Sequence, residues 1–574
     1  MSEPSAHALV PTAASPLRIA ILGWASLDLQ AREGSGYNLS ASELAAGLAL
    51  RGHTVHYLAS GMRHRPWPTS FIAPRKRTWR GVACWDLVNS ATHSPAAVNF
   101  GNISREMRST SQCGQVVRWL DQINAQVVHI HSLEGQPLDL IAAIRRTGRP
   151  VIVTPHNYWF VCPQVDLLHE EVRLCDDYQG GVRCQACMKR RPYWKTRLAR
   201  TVGWTLEATI GPTAADTVRK AIYGTAESVR NGRTKSNPRD PQPDPLVWRG
   251  HDVPPDFDGR IEHHLKLEPS EAPKQLGVAP VDMNERFLGE VGGGEASREV
   301  HLRVVNDFGR RRLAGIEALN HASLVTPPSD FVRRAHVAMG LEASRTRVVR
   351  LGQPHFDQIN RRARSSPFYH ATPWHADASE RPLAFGFFGT TRHNKGLDIL
   401  IRAIPLLERD VRQRSRFLIR ASGWDWPMRK RVSEFPEVQF AGGYDLLQLI
   451  AAGSEYDVGI LPHIWFENSP LVLLEHLHAG KMVISSRLGG PVEWIIEPGV
   501  EGGGQSRSGA ESRGYNGLLF PGGDPQALAV CITRLVRGEV AIPSPAAIHT
   551  ITPNLQTYPG HVLEVEGVYH EALT

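Results

Sequence analysis

Short apolar runs alternate with segments of helical apolar spacing near the start of this sequence. Residues 17–22 read LRIAIL before Gly23, residues 42–51 place apolar side chains three and four positions apart before Gly52, and residues 53–59 read HTVHYLA. A short continuous apolar run is typical of a strand buried on both faces, and the spacing of 42–51 is typical of a helix. The order strand, helix, strand predicts a βαβ unit and therefore a parallel sheet.

The same alternation continues through the first half and starts again in the second half. In the first half it predicts helices at 115–122, 138–146 and 311–319 and strands at 127–131, 151–154 and 322–326. In the second half it predicts strands at 383–388, 416–419, 438–441, 458–461 and 482–485 and helices at 396–407, 471–479 and 525–537. Two such series predict an α/β protein with two Rossmann-like, doubly wound domains. Because ligands of such sheets bind beyond the carboxyl ends of the strands, two facing sheets would enclose a cleft.

The chain has 574 residues, which is more than one hydrophobic core supports, and its composition indicates where it divides. Residues 1–16 are predicted to be a disordered tail. The predicted N-terminal domain, 17–360, carries an insertion at 188–310 that is rich in Pro, Gly and charge. A linker at about 361–380 opens the C-terminal domain, which extends to residue 545. The last segment, 546–574, is expected to pack back on the N-terminal domain.

The net charge of +8 favours acidic partners such as phosphates, anionic lipid headgroups or acidic glycans. No zinc-finger spacing and no aromatic-basic RNA-binding pattern is present, so no nucleic-acid partner is predicted. No apolar run reaches the ~18 residues that suggest a membrane-spanning helix, and residues 1–16 lack the features of a secretion signal. The sequence therefore predicts a cytoplasmic protein with reduced thiols.

Two carboxylates flank the predicted start of the helix at 471–479. Glu467 and Glu475 lie eight positions apart, and Ser469 and Pro470 between them suit the N-cap and the first helical position. The unpaired first amides of such a helix favour a phosphate. Glu475, about a turn and a half into the helix, could then accept hydrogen bonds from ribose hydroxyls. Glu467 would face whatever extends beyond the phosphate.

A basic loop follows the predicted strand at 383–388. The segment FGTTRHNKG places Gly389, Arg392 and Lys395 between this strand and the next helix. Arginine offers two parallel donors and lysine a compact charge, so both would neutralise a diphosphate, and the glycine lets the backbone approach closely. Ribose, diphosphate and sugar follow one another in a nucleoside diphosphate-sugar, which is the layout these groups fit.

These motifs resemble those of family 4 of the retaining glycosyltransferases, which have the GT-B fold. In the second half the resemblance is carried by the two glutamates with seven residues between them, by Lys395-Gly396 after the first strand, and by NGLLFPGGDP at 516–525. In the first half it is looser and is carried by Gly34-Ser35-Gly36, RGHTVHYL at 51–58 and TPHN at 154–157. It covers about 17–187 and 311–574 and leaves the insertion unexplained.

The resemblance implies a role for each residue. Glu467 and His156 would lie at the transferred sugar as the catalytic residues, Glu475 would bind the ribose, and Lys395 with Arg392 would hold the diphosphate. The implied donor-binding residues are Lys395, Arg392, Gly389, Asn468, Ser469, Pro470, Leu471 and Glu475, and the implied acceptor-side loop contains Gly34 and Gly36. It also implies retention of configuration, a hexose-type sugar, a glycan or lipid-linked acceptor bound by the N-terminal domain, and no cofactor for catalysis.

Four cysteines form a further cluster, Cys162, Cys175, Cys184 and Cys187, with the spacing C-x12-C-x8-C-x2-C. Four thiolates could hold one tetrahedral zinc ion as a structural site. An iron–sulfur cluster and reduced buried thiols are the alternatives.

Residues 188–204 are basic and include Tyr193, Trp194 and Trp204. Such a segment could rest on an anionic membrane surface, here the inner membrane, or form an ordinary solvated face. Two rival functions also stay open. One is a nucleotide-sugar epimerase on the same fold, and the other is a non-catalytic protein that binds nucleotide-sugar or glycan.

Overall fold

The computed structural model describes residues 15–27, 36–67, 69–188, 193–211, 214–215, 217–218, 283–288, 300–422, 435–444, 446–499, 514–552 and 555–574. Residues 1–14 of the predicted tail and most of the predicted insertion lie outside the described residues. Among the helices that are described, none is long and apolar enough to cross a membrane.

The N-terminal half is built on one mostly parallel sheet. Its strands are β1 Arg18–Gly23, β2 Thr54–Ala59, β3 Phe71–Pro74, β4 Ala83–Val88, β5 Val127–Ile130, β6 Val151–Val153 and β9 Leu324–Val325, and a separate hairpin pairs β7 Leu168–His169 with β8 Arg173–Leu174. The helices are α1 Gly36–Leu50, α2 Ala96–Asn99, α3 Ile103–Met107, α4 Thr110–Gln122, α5 Leu140–Arg145, α6 Val182–Cys187, α7 Tyr193–Ile210, α8 Met283–Leu288, α9 Asp307–Asn320, α10 Asp330–Ala338 and α11 Pro354–Arg364.

The C-terminal half has a second sheet, which is parallel throughout. Its strands are β10 Leu383–Thr390, β11 Ser415–Ser422, β12 Val438–Gly442, β13 Val458–Leu461, β14 Met482–Ser486 and β15 Gly517–Phe520. The helices are α12 Leu397–Ala403, α13 Arg409–Gln413, α14 Leu446–Ala452, α15 Leu471–His478, α16 Pro525–Val536, α17 Pro545–Ile551 and α18 Tyr558–Leu573.

Both sheets have the doubly wound strand order. The first runs β3-β4-β2-β1-β5-β6-β9 and the second runs β12-β11-β10-β13-β14-β15. In each, the chain builds outward from a central strand in one direction and then in the other, so the order reverses beside β1 and β5 and beside β10 and β13. The predicted pair of Rossmann-like domains is confirmed, and the fold is GT-B. The antiparallel edge strand β3 and its partner β4 were not predicted.

The carboxyl ends of the two sheets face each other. The Tyr158 hydroxyl, beyond β6, donates to the Phe466 carbonyl oxygen, beyond β13, at 3.0 Å. The Glu493 carboxylate of the second half accepts the backbone N–H groups of Asp330 at 3.0 Å and Phe331 at 2.6 Å, at the start of α10. A carboxylate at a helix N-terminus satisfies unpaired donors and the helix dipole together.

The C-terminal helix α18 completes the core of the first half. Val562, Val565 and Tyr569 are buried in one apolar cluster with Leu44 of α1 and Tyr57 of β2. The close crossing of α1 and α18 depends on a glycine, because a Cβ at Gly47 would lie 2.6 Å from a methyl group of Val562. Helix α18 therefore packs on the N-terminal half, whereas α17 lies against the second half, where His549 contacts the His478 carbonyl oxygen at 3.0 Å.

Candidate functional site

The strand order of the second sheet places two loops side by side at its carboxyl edge. One follows β10 and contains Lys395, and the other follows β13 and contains Glu467. They are bonded directly, since Ile464 N–H donates to the Asn394 carbonyl oxygen at 3.1 Å. Gly396, with φ 70°, lies so close to Pro462 that a Cβ would be 1.8 Å from its carbonyl oxygen. Ligands of doubly wound sheets bind at this point of reversal.

The amine of Lys395 forms an ion pair with the Glu467 carboxylate across these two loops. The Glu467 side chain is 7% exposed, whereas that of Lys395 is 34% exposed and also lies over the Trp465 ring, 5.3 Å from its centroid. Burial alone would raise the pKa of Glu467, but the charge of Lys395, helped by His463, holds it below its ordinary value. Glu467 is therefore ionised at neutral pH.

Glu475 lies in α15, and its side chain is held in place by a residue of α11, the helix that joins the two halves of the chain. His355 of α11 contacts one carboxylate oxygen of Glu475, Nε2 to Oε1, at 3.0 Å. The other oxygen, Oε2, is buried and has no hydrogen-bond partner among the described residues. A buried carboxylate oxygen without a donor is costly, so this one is suited to receive a ligand hydroxyl. Sequence reasoning missed His355, because nothing local marks a residue that acts 120 positions away.

Several more buried polar atoms of the same two loops have no partner within the described part of the chain. They are Thr390 Oγ1, Asn394 Oδ1, Trp465 Nε1, Asn468 Oδ1 and Ser469 Oγ. Buried polar groups in proteins are nearly always satisfied. Their grouping beside Lys395, Glu467 and Glu475 indicates a polar ligand with several hydrogen-bonding groups.

The start of α15 differs slightly from the prediction. The helix begins at Leu471 with Pro470 at the N-cap, and no side chain caps it. Ser469 was expected to be the N-cap, but its hydroxyl lies unbonded one residue earlier. Leu473 N–H and Leu474 N–H donate to the Pro470 carbonyl oxygen at 3.1 and 3.4 Å, and no side chain caps the two amides before them, those of Leu471 and Val472.

Gly389 and Arg392 end β10 and begin the basic loop. A Cβ at Gly389 would meet one atom only, in the Phe387 ring at 4.0 Å, so the backbone there borders open space. Arg392 is exposed, and its charge acts on Asp166 of the N-terminal half. The structure thus places Arg392 near Asp166, on the opposite wall of the cleft.

His156 faces these loops from the N-terminal half. Its backbone carbonyl oxygen accepts a hydrogen bond from the Asn468 side chain, and its ring Nε2 lies 2.8 Å from His131 Nδ1, with the rings stacked 5.1 Å apart. Loss of contact with water lowers the pKa of His156 to about 3. The imidazole is therefore neutral, so it can make hydrogen bonds to a sugar but is a poor general acid at neutral pH.

Among the other N-terminal positions named from the sequence, Gly36 and Asn157 lie within the described residues. Gly36 begins α1 with nothing near its Cβ position, and Gly34 lies outside the described residues. Asn157 hydrogen-bonds Glu134, a buried residue that sequence reasoning missed. Burial raises the pKa of Glu134 to about 7, and its carboxylate accepts Ala96 N–H at 2.5 Å.

The four cysteines line one small cavity together with Arg312. Burial raises the pKa of each thiol, to about 12 for Cys184 and about 11 for Cys187. No group of three or more His, Cys, Asp or Glu residues in the described ranges is arranged to hold a metal ion. Without a metal ion these thiols are protonated, and the zinc and iron–sulfur interpretations stay predictions.

Comparisons with known proteins agree with this architecture. The family model described as Glycosyltransferase Family 4 matches residues 34–217, and the model described as Glycosyl transferases group 1 matches residues 382–538. Each matched range lies on one of the two sheets, and the second contains Lys395, Glu467 and Glu475. No curated protein matches the sequence.

Solved structures are similar at low identity. Alr3699/HepE of Anabaena in complex with UDP has 11% identity and a TM-score of 0.47 over 97% of this chain and 100% of that chain. Sucrose-phosphate synthase of Thermosynechococcus elongatus has 13% and 0.48, over 97% and 98%. Starch Synthase IV of Arabidopsis thaliana, bound to ADP and acarbose, has 11% and 0.49, over 97% and 100%. These likenesses are too distant to indicate a donor or an acceptor. The two family models, matched in order on two facing doubly wound domains, identify the chain as a glycosyltransferase with the GT-B fold.

Proposed function

We propose that the protein is a family 4 glycosyltransferase that moves a hexose-type sugar, with retention of configuration, from a nucleoside diphosphate-sugar to a glycan or lipid-linked acceptor. The observation that carries the proposal is the set of charged and unpartnered polar groups at the reversal point of the second sheet. It offers a cation, a buried carboxylate with a free oxygen, and open helix amides within one cleft. The cation and the helix amides match a diphosphate, and the buried carboxylate matches the hydroxyls of a ribose.

The bond between the anomeric carbon and the diphosphate oxygen breaks as the acceptor oxygen bonds to that carbon, and the proton of the acceptor hydroxyl passes to the departing diphosphate. One of the three N–H groups of Lys395 donates to Glu467, which leaves the others for the diphosphate. Together with the amides at the start of α15, this amine stabilises the negative charge that develops on the leaving group. Glu467 orients the sugar hydroxyls, and the neutral His156 contacts the sugar from the other domain. No metal or other cofactor is needed.

The test is hydrolysis and transfer with a panel of UDP-, GDP- and ADP-sugars. The wild type should release nucleoside diphosphate from at least one donor, and Glu467→Ala should abolish release, whereas the exposed Glu539→Ala should not change it. Binding without release by the wild type would favour a non-catalytic protein. An intact nucleotide-sugar with altered sugar stereochemistry would show an epimerase. The anomeric configuration of the product, read by NMR, decides retention.

A lipid-linked acceptor would require the protein to reach a membrane, and α7 offers a surface for this. Trp194, Leu198 and Val202 are 61%, 56% and 50% exposed and lie four residues apart, so they share one face of the helix. Lys195 lies beside them, and residues 188–204 are basic. The proposed occupant is an anionic bilayer surface, because basic charge attracts it while the apolar side chains insert.

Flotation with phosphatidylglycerol and phosphatidylcholine vesicles tests this surface. The wild type should float with the anionic vesicles, and the double variant Trp194→Ser, Leu198→Ser should not. Phe368, which is 72% exposed in another part of the molecule, provides the control Phe368→Ser. Equal flotation of all three proteins would contradict membrane contact through α7.

A further inference from the structure

A short helix from the predicted insertion lies behind the loop that carries Glu467. Phe287 of α8 is 2% exposed, and its ring centroid is 4.7 Å from that of Phe466, the residue before Glu467. Phe331 of α10 contacts the Phe466 ring at 5.3 Å. Phe466 is thus held between two helices of the N-terminal half, and one of them comes from the insertion.

The same helix also binds the loop after β14 through one side chain. Asn284 Oδ1 accepts Gly489 N–H at 2.8 Å, and Asn284 Nδ2 donates to the Gly489 carbonyl oxygen at 3.4 Å. The Asn284 residue is 6% exposed. A primary amide offers a donor and an acceptor together, so it can satisfy both backbone groups of one residue. Because the partner is a glycine with φ 73°, the contact holds a conformation that few other residues adopt.

The loop that Asn284 binds packs directly on the backbone of the ion-paired glutamate. Gly490 N–H donates to the Glu467 carbonyl oxygen at 2.7 Å. A Cβ at Gly489 would lie 2.2 Å from that same oxygen, and one at Gly490 would lie 1.9 Å from the Asn468 carbonyl oxygen. With no room between the two backbones, a shift of the Gly489-Gly490 loop must displace Glu467 and Asn468.

We propose that Asn284 is a positioning residue of the donor site, which sets the place of Glu467 through Gly489-Gly490. This inference depends on the proposed function, because it assumes that Glu467 faces the transferred sugar. It assigns the part of the insertion around α8 to the support of the donor-binding loops. Because Asn284 binds Gly489, and the Gly489-Gly490 loop packs on the backbone of Glu467, its effect should fall on the sugar end of the donor.

Hydrogen exchange of the full chain without ligand tests the placement. Asn284→Ala should speed exchange in peptides that cover 464–470 and 487–494. The matched control is Asn320→Ala, because Asn320 makes the same pair of contacts elsewhere, donating to the Gly340 carbonyl oxygen at 3.1 Å and accepting Glu342 N–H at 2.9 Å. Exchange in these peptides that is unchanged in Asn284→Ala, or equally raised in both variants, overturns the proposal.

Kinetics then test the role. With a donor that the wild type hydrolyses, Asn284→Ala should lower kcat/KM by about 10- to 100-fold, as expected when a reacting group is displaced. The Kd for UDP, GDP or ADP, whichever binds, should change far less, and Asn320→Ala should leave both values alone. A loss of nucleotide affinity equal to the loss in kcat/KM contradicts the assignment to the sugar.

Hydrogen exchange and kinetics together distinguish a failure of this inference from a failure of the proposed function. If the wild type hydrolyses no donor, the proposed function fails while hydrogen exchange still decides what Asn284 does. If Asn284→Ala does not fold, Asn284→Asp replaces it, since the carboxylate keeps the acceptor for Gly489 N–H but loses the donor to the Gly489 carbonyl oxygen. Unchanged exchange and kinetics in Asn284→Asp then overturn the proposal.

Discussion

Lys395 and Glu467 neutralise each other in a place where Glu467 is almost wholly removed from water. An unpaired buried charge is strongly unfavourable, so each partner keeps the other charged and in position. In the proposed function, the pair would supply an amine to a diphosphate and a carboxylate to a sugar from one point of the cleft.

Replacing Lys395 by Met should weaken binding of the nucleoside diphosphate by about 10- to 100-fold, because a hydrogen bond to a charged group contributes about 1.5–3 kcal/mol. The pKa of Glu467 should rise as well, since its main neutralising charge is gone. Calorimetric titration with UDP, GDP and ADP measures the affinity, and the exposed Lys76→Met is the control. An unchanged affinity in Lys395→Met would show that this amine does not bind the diphosphate.

The contact between His355 and Glu475 leads to a second prediction for single residues. His355→Leu leaves both oxygens of a buried carboxylate without a donor, which costs about 1–3 kcal/mol of stability. The ribose contact should loosen, so the Kd for the nucleotide should rise by several-fold. Binding and urea unfolding should be compared with the exposed His375→Leu, and equal behaviour of the two variants would contradict a role for His355.

Single residues also show how far the sequence can predict the site. Lys395, Glu467 and Glu475 were found because each occupies a fixed place relative to a predicted strand or helix. His355 and Asn284 act on residues 120 and 205 positions away, and no periodic pattern or short motif marks such contacts. The N-cap at Ser469 was wrong by one residue, as is common at helix ends.

Among the elements, α18 combines an apolar face with a buried ion pair. Glu566 lies 2.5 Å from Arg51 and 3.2 Å from His53, both at the end of α1, and the side chains of all three are less than a tenth exposed. Leu17 N–H donates to His53 Nδ1, so His53 Nε2 carries the proton and faces Glu566. The helix is thus attached through several specific polar contacts, since the Tyr558 hydroxyl also donates to the Glu43 carbonyl oxygen at 2.8 Å and the Tyr569 hydroxyl lies 2.7 Å from His129 Nδ1.

Glu566→Ala should lower the free energy of unfolding by about 3–5 kcal/mol, because it removes the carboxylate that lies against the buried Arg51 and His53. The same helix provides the control, since Glu571 pairs with Arg347 at the surface and such pairs contribute about 0–1 kcal/mol. Urea unfolding midpoints followed by tryptophan fluorescence compare Glu566→Ala with Glu571→Ala. Equal midpoints would show that the pair does not anchor α18.

The central elements were predictable because strands buried on both faces read as apolar runs and the helices beside them have regular spacing. The strands β3 and β4 lie at the sheet edge, and β3, FIAP, is at most half buried and ends at a proline, so no apolar run marks it. Helix α11, which joins the two halves, was also missed. Its buried residues, His355, Phe356 and Ile359, are too few to produce a clear stripe.

For the molecule as a whole, buried histidines should make stability depend strongly on pH. Burial lowers the pKa of His129, His156, His476 and His478 to about 3. Above pH about 6.5 these rings are neutral whether the chain is folded or not. Below it the unfolded chain binds protons that the native protein does not, so stability falls as the pH falls from about 6.5 toward 3.

Two buried carboxyl groups act in the opposite direction. Burial raises the pKa of Glu134 and Asp166 to about 7, so their contribution to stability is lost as the pH rises from about 4 to 7. The histidines are more numerous, and their effect should dominate. The urea midpoint should therefore be lower at pH 5.5 than at pH 7.5, and an equal or higher midpoint at pH 5.5 would contradict this.

The return of α18 to α1 and β2 has a consequence for biosynthesis. The apolar surface of Leu44, Leu48 and Tyr57 is completed by residues of α18, which lies about 500 positions later in the sequence. A ribosome delivers the first half long before those residues leave its exit tunnel. The nascent first half must therefore keep this apolar surface exposed until α18 has been synthesised.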